Sequence, residues 1–364
     1  MAAPDVQPGV VGRRPSGPVA RPMRLRIAPV WQGSVRDSRR TAMRAMVVEG
    51  AERAPVLRDW PRPEPGPGEV LVRIEACGLN HADLLMIRGT YQDTPPVPFV
   101  LGLEAAGRVA ALGPGTAGPG LEPGRRVAVY CGQGGLAEWG VFPAARCLPV
   151  PETMPVEVAA GFQIAYGTSH LALTRRARLQ AGETLLVLGA AGGVGLTAVE
   201  IGAALGARVI AVARGPQKAA IARAAGAETV LDSDAADLKA ALKALGGVDV
   251  VYDAVGGDLF RPALSACKPE ARILLIGFAS GAVPEIRANH LLVKNVSVEG
   301  VNWGGYLAFA PQVLTGSLAD LMRWYGEGRL SPHVSEVLPL DRAAEALALL
   351  QERRATGKVV VRCG

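Results

Sequence analysis

The rhythm of apolar positions changes once along the chain, near residue 150. Before that point, from Met43 onward, VLVRIEACGL (70–79), GRVAAL (107–112) and RRVAVY (125–130) cluster or alternate β-branched residues between proline and glycine, which predicts short strands joined by turns. WPRPEPGPGEV (60–70) and LGPGTAGPGLEPG (112–124) are turn and loop segments by composition. After it, wholly apolar runs alternate with alanine-rich helical stretches: TLLVLG (184–189), LTAVEIGAALGA (196–207), RVIAVA (208–213), KAAIARAAGA (218–227), TVLD (229–232), VDVVYDAV (248–255) and ARILLIGF (271–278). Strands that are apolar throughout, separated by helices, are the mark of βαβ units in a parallel sheet covered on both faces. The tail holds a helix over DRAAEALALLQERR (341–354) and ends in KVVVR (358–362). That last strand has no obvious parallel partner in the sequence and is expected to return to the first region.

Composition narrows the class. A chain of 364 residues is longer than one core usually serves, so two domains are expected. It has no apolar run of about 18 residues, which excludes a membrane-spanning helix. The five cysteines (Cys77, Cys131, Cys147, Cys267, Cys363) show no CxxC spacing. This argues against a disulfide framework or a structural zinc lobe and fits a reducing compartment, the cytoplasm.

The excess of basic residues, 39 against 33 acidic, suggests nucleic acid until it is located. Residues 1–42 hold eight arginines and only Asp5 and Asp37 as acids, whereas the other 322 residues hold 31 charges of each sign. The body therefore has no net basic footprint for phosphates. Residues 1–42, with six prolines and no sustained periodicity, are expected to be disordered and to carry no chemistry. They read either as a mitochondrial leader or as translation from a start codon upstream of a true start at Met43. The prolines at 15, 18, 22 and 29 disfavour the amphipathic helix that a leader needs.

Candidate chemistry begins at LLVLGAAGGVGLTAVEIG, which sets Ala190-x-Gly192-x-x-Gly195 between a buried strand and a helix. This is a dinucleotide fingerprint with alanine in first position. Gly192 lets the backbone approach a pyrophosphate, the loop continues through Gly193 and Val194, and Gly195 lets helix and strand close up. Sites for NAD place an acid at the end of the second strand. Here RVIAVARGPQK puts Arg214 there, with Lys218 four residues on. A carboxylate would repel a 2′-phosphate and a guanidinium can grip one, so NADPH is the expected cofactor.

With these residues in hand, the chain resembles the zinc-independent medium-chain dehydrogenases/reductases of the NADPH:quinone oxidoreductase, or zeta-crystallin-like, branch. The resemblance runs over about 43–364 and rests on ACGLNHADLL (76–85), GTYQDTPPVPFVLGLEAAG (89–107), AYGTSHLAL (165–173), GAAGGVG (189–195), VYDAVGG (251–257), LIGFASG (275–281), GVNWGGY (300–306) and TGKVVV (356–361). It implies an α/β fold: a GroES-like β-domain (43–165 and 302–364) interrupted by a Rossmann domain (166–301), with the C-terminal segment returning to the first domain. Zinc-dependent relatives have a ligand cysteine where Asn80 stands and a histidine where Leu103 stands. They often add a four-cysteine lobe over 125–145, where only Cys131 is found, so no metal is expected. Cys77 reads as a small core residue, His81 as an ordinary polar contact and His170 as structural.

The resemblance further implies that Thr168, Asp253, Gly256, Phe278 and Lys358 meet the cofactor. Asn80 and Tyr91 would contact the substrate, with Asp83 orienting Asn80 and with Trp303 and Tyr306 walling the pocket. The expected activity is flavin-free hydride transfer from NADPH to a quinone. A reductase of enones or enoyl thioesters is the alternative enzyme, and a crystallin-like protein that only binds NADPH is the alternative outside catalysis. A homodimer through the sheet edge at NVSVEGV (295–301) is expected, and no nucleic-acid or membrane partner.

Overall fold

The computed structural model describes residues 42–234 and 237–364. The expectation for the arginine-rich segment lies outside the described residues, save that Ala42 opens the first strand. Eight strands precede residue 150: β1 (Ala42–Val48), β2 (Val56–Pro61), β3 (Glu69–Gly78), β4 (Phe99–Val100), β5 (Glu104–Leu112), β6 (Arg126–Tyr130), β7 (Trp139–Pro143) and β8 (Cys147–Pro149). Six follow in the alternating region: β9 (Thr184–Leu188), β10 (Arg208–Ala213), β11 (Thr229–Asp232), β12 (Val248–Asp253), β13 (Cys267–Leu275) and β14 (Ser297–Gly300). The tail adds β15 (Val334–Pro339) and β16 (Lys358–Arg362).

These strands form three sheets. β2-β1-β4 is a small antiparallel one. A seven-stranded sheet runs β15-β16-β3-β5-β6-β8, with β7 also on β3. Within it β3 spends one edge on two partners: Glu69–Arg73 pairs with β7 and Ala76–Gly78 with β16. The terminal strand therefore does return to the β-rich region, but it also finds a parallel partner close by in sequence, β15, which the expectation did not foresee. The third sheet is parallel, in the order β11-β10-β9-β12-β13-β14. All five residues of β9 are buried, as its uninterrupted apolar run requires.

That order reverses between β9 and β12, and open parallel sheets bind ligands at such a switch point, beyond the carboxyl ends of the strands. Helix α4 (Gly193–Ala204) starts there, and its seating explains Gly195: a Cβ at that position would lie 2.1 Å from the Gly189 carbonyl oxygen. Helix α1 (His81–Ile87), helix α2 (Val156–Ala160) and helix α3 (Gln163–His170) lie on the side of the seven-stranded sheet, and helix α5 (Gly215–Ala224) follows β10. The core mixes Ala159, Ala160, Phe162 and Tyr166 with Leu185, Val187, Val199 and Val250, so one apolar cluster joins α2 and α3 to the parallel sheet.

Candidate active site

A cleft of about 650 Å³ lies between the two large sheets. One wall comes from the switch point. Gly192 caps α4, and the N–H groups of Gly193, Val194 and Gly195 fall in its first turn, where no intrahelical acceptor exists. Arg214, at the end of β10, caps α5 and pairs with Asp234 at 3.3 Å, both well exposed. Lys218, one turn on, donates to the Arg353 carbonyl at 2.6 Å. Burial, together with the positive charges of Arg214 and Arg353, lowers the Lys218 pKa from its ordinary value. Three cations thus crowd one end of the cleft, an arrangement that calls for an anion.

The opposite wall is held by a buried polar cluster. The Lys358 ammonium donates to Leu79 O at 2.7 Å, to Asn80 Oδ1 at 2.9 Å and to Glu104 Oε1 at 2.7 Å. Asn80 Nδ2 donates to the same Glu104 oxygen at 3.0 Å and to Gly78 O at 3.2 Å. Glu104 Oε2 accepts from the Ile164 N–H at 3.0 Å. The Lys358 and Glu104 side chains are 8% and 1% exposed, so this ion pair is shielded from water. Asp83 sits behind it and accepts from the Asn80 N–H at 2.8 Å, fixing the start of α1. Burial pushes the Asp83 carboxyl up to about 7, against the pull of that hydrogen bond and of Lys358.

Most of the expected site residues line the one cleft: Asn80, Tyr91, Thr168, Gly192, Gly193, Val194, Gly195, Arg214, Lys218, Phe278, Lys358 and Trp303. Five do not. Asp83 is wholly buried behind Asn80 and binds its backbone N–H rather than its carboxamide. Ala190 is wholly buried beneath the loop, where its N–H donates to Val212 O. Asp253 turns back on its own strand end, its Oδ1 accepting from Val255 and Gly256 N–H at 2.9 and 2.7 Å, and the wall there is Ala254 and Val255. Gly256 serves that turn, with φ of 66°. Tyr306 packs on Phe309, away from the cleft. Lys358, expected to face the cofactor, is committed to Glu104 and Asn80 instead. His170 binds Ser317 Oγ at 2.8 Å, a structural contact.

Sequence reasoning passes over Glu104 and Arg353. Glu104 follows Leu103, the position of the missing histidine, and a lone acid opening the apolar run EAAGRVAAL is the available signal. Arg353 caps the mouth, donating to the carbonyls of Ala279 and Ser280 at 2.9 and 3.2 Å.

The chain matches two family models: "Alcohol dehydrogenase GroES-like domain" over residues 66–152 and "Zinc-binding dehydrogenase" over residues 193–321. It is 37% identical to quinone oxidoreductase-like protein 2 of Bos taurus, covering 91% of this chain and 94% of that one. Prostaglandin reductase-3 of Bos taurus is 31% identical, with 85% of each chain covered. The quinone oxidoreductase of Thermus thermophilus, whose structure was also solved with NADPH, superposes with a TM-score of 0.78 at 36% identity, over 88% of this chain and all of that one (100%). The chain belongs to the medium-chain dehydrogenase/reductase family, alongside the quinone oxidoreductase-like proteins.

Zinc, which the second family model carries in its name, does not fit here. The Lys358 ammonium lies 2.9 Å from Asn80 Oδ1 and would repel a dication, and Leu103 offers no donor atom. Among the described residues, no three His, Cys, Asp or Glu side chains gather to hold a metal. No helix among them is long and apolar enough to cross a membrane.

Proposed function

We propose that the protein is an NADPH-dependent reductase that acts on quinones without metal or flavin. The observation that carries this reading is one cleft in which a helix N-terminus, a cationic end and a buried polar wall face the same space. NADPH supplies the hydride. The N–H groups of Gly193, Val194 and Gly195 would hold its pyrophosphate, and Arg214 and Lys218 its 2′-phosphate, Lys218 exchanging the Arg353 carbonyl for a charged partner. Thr168 and Phe278 would flank the nicotinamide end.

At the acceptor, negative charge developing on oxygen needs neutral donors. Tyr91 is half-buried, and burial raises its phenol pKa so that the hydroxyl keeps its proton. Both Asn80 amide hydrogens are engaged, so the expectation of a freely offered amide needs amendment. The 3.2 Å bond to Gly78 O is the longest that Asn80 or Lys358 makes within the cluster, and its hydrogen is the one an acceptor would draw on. Similarity to prostaglandin reductase-3 supports a second reading, reduction of activated alkenes by the same geometry.

Steady-state NADPH oxidation with quinones and with enones tests both. Oxidation with neither acceptor, in protein that binds NADPH, would leave only a binding role. Pairing of two copies is also proposed. The β14 edge is the end of the parallel sheet, and the preceding helix, Ala288–Lys294, exposes Leu292 (76%) and Val293 (72%). Light scattering that finds only monomers of 37.8 kDa would refute that pairing.

A further inference from the structure

We propose that the buried Lys358–Glu104 pair is the positioning device of this site: it sets the orientation of the Asn80 carboxamide and lends it a fixed positive charge from behind. The inference rests on the reductase reading above for its chemistry but on geometry for its substance. An amide can be turned over about its last torsion, exchanging oxygen for nitrogen, unless its neighbours differ in kind. Here they do: Oδ1 faces an ammonium that can only donate, and Nδ2 faces a carboxylate and a carbonyl that can only accept.

The ammonium is itself saturated. Its three hydrogens go to Leu79 O, Asn80 Oδ1 and Glu104 Oε1, so it has none left to give to a substrate. This separates it from an acid or a direct contact and leaves orientation and field as its role. A positive charge on the oxygen side of an amide draws electrons from the nitrogen and strengthens N–H donation, an effect enlarged where water is excluded. Glu104 balances that charge and is itself fixed by the Ile164 N–H at the start of α3.

Glycine at 161 leaves room for the stem of Lys358 on its way to this place. A Cβ there would lie 2.9 Å from Lys358 Cε and 3.1 Å from Cγ. Residues 80, 104 and 358 come from three separate segments and meet at one amide, with Gly161 from a fourth lying against the Lys358 stem. Where a metal-dependent relative would keep a cation for the acceptor oxygen, this chain keeps an ammonium one amide further back.

The test is a cycle of Lys358→Met, Glu104→Gln and the double variant, each assayed for melting temperature, NADPH dissociation constant and turnover with a quinone and an enone. Each single variant should melt lower, because it strands a buried charge. The double variant should recover most of that loss and bind NADPH within about twofold of wild type, yet turn over at least about tenfold more slowly. Two outcomes overturn the proposal. Turnover near wild type in the double variant would make the pair a brace only, and a rise in the NADPH dissociation constant matching the loss of turnover would make Lys358 a cofactor contact. If the wild type itself reduces no acceptor, the reductase reading fails, and the amide signal of Asn80 in nitrogen-15 NMR decides the positioning separately. Its exchange with water should quicken in the double variant, and an unchanged signal refutes the proposal.

Discussion

The two walls of the cleft are built on opposite principles. On the parallel-sheet side the site is made by leaving side chains out: glycines bring backbone N–H groups to the surface, with Arg214 beside them in solvent and Lys218 half-buried. On the other side it is made by putting polar and charged groups in, with Lys358, Glu104, Asn80 and Asp83 packed away from water and each dependent on its neighbours. The first wall should tolerate loss of a charge but no added atom. The second should tolerate a change of size poorly and the loss of a partner worse.

The largest effect is expected from adding atoms to the first wall. Gly195→Val should abolish NADPH binding, since its Cβ would fall 2.1 Å from Gly189 O and α4 could not stay on β9. Fluorescence titration checks this, and circular dichroism shows whether the fold survives. Next comes removal of one partner from the second wall. Lys358→Met should cost about 3–5 kcal/mol in denaturant unfolding, the usual penalty for an uncompensated buried charge.

The third prediction concerns pH. The folded-state pKa of Asp83 is raised from 3.8 to about 7, so the native protein retains a proton that the unfolded chain releases. Stability from this group is then greatest below pH 4, declines as pH rises toward 7 and is flat above. Asp83→Asn keeps an acceptor for the Asn80 N–H and should flatten that decline, worth up to roughly 4 kcal/mol between the two limits. Equal pH dependence in both proteins would show that Asp83 is ionised throughout. The smallest effect should come from charges on the exposed wall. Arg214→Ala with Lys218→Ala should weaken NADPH by about 2–3 kcal/mol and NADH hardly at all, read by titration with each cofactor.

The same contrast explains what can be read from the sequence. The first wall is local: a strand, Ala190 to Gly195 and a helix are contiguous, and the missing acid at Arg214 is one strand away, so periodicity and spacing are enough. The alternation of strand and helix likewise leads to the parallel sheet, and the lone KVVVR run leads to a strand returning to the first region. The second wall joins positions as much as 279 residues apart, as between Leu79 and Lys358. No spacing rule links them, so the sequence points to Lys358 as a cofactor contact and passes over Glu104. Asp253 departs from expectation for another reason: an acid at a strand end suits either a ligand or its own turn, and here the N–H groups of Val255 and Gly256 take it.

The place of β16 in the topology bears on how the protein is made. It is an interior strand, held by β15 on one side and β3 on the other, yet it occupies residues 358–362 of a 364-residue chain. Because the chain is made from its N-terminus, β3 and the whole parallel sheet leave the ribosome before these residues do. The parallel sheet can form early, but β3 must wait with part of one edge unpaired, and the ammonium of Lys358 reaches Glu104 only once β16 has emerged. Until then the nascent protein holds a buried acid without its partner. Emergence of β16 thus becomes the step that completes the acceptor wall, and a chain stalled or clipped before it would fold its nucleotide half without assembling the other.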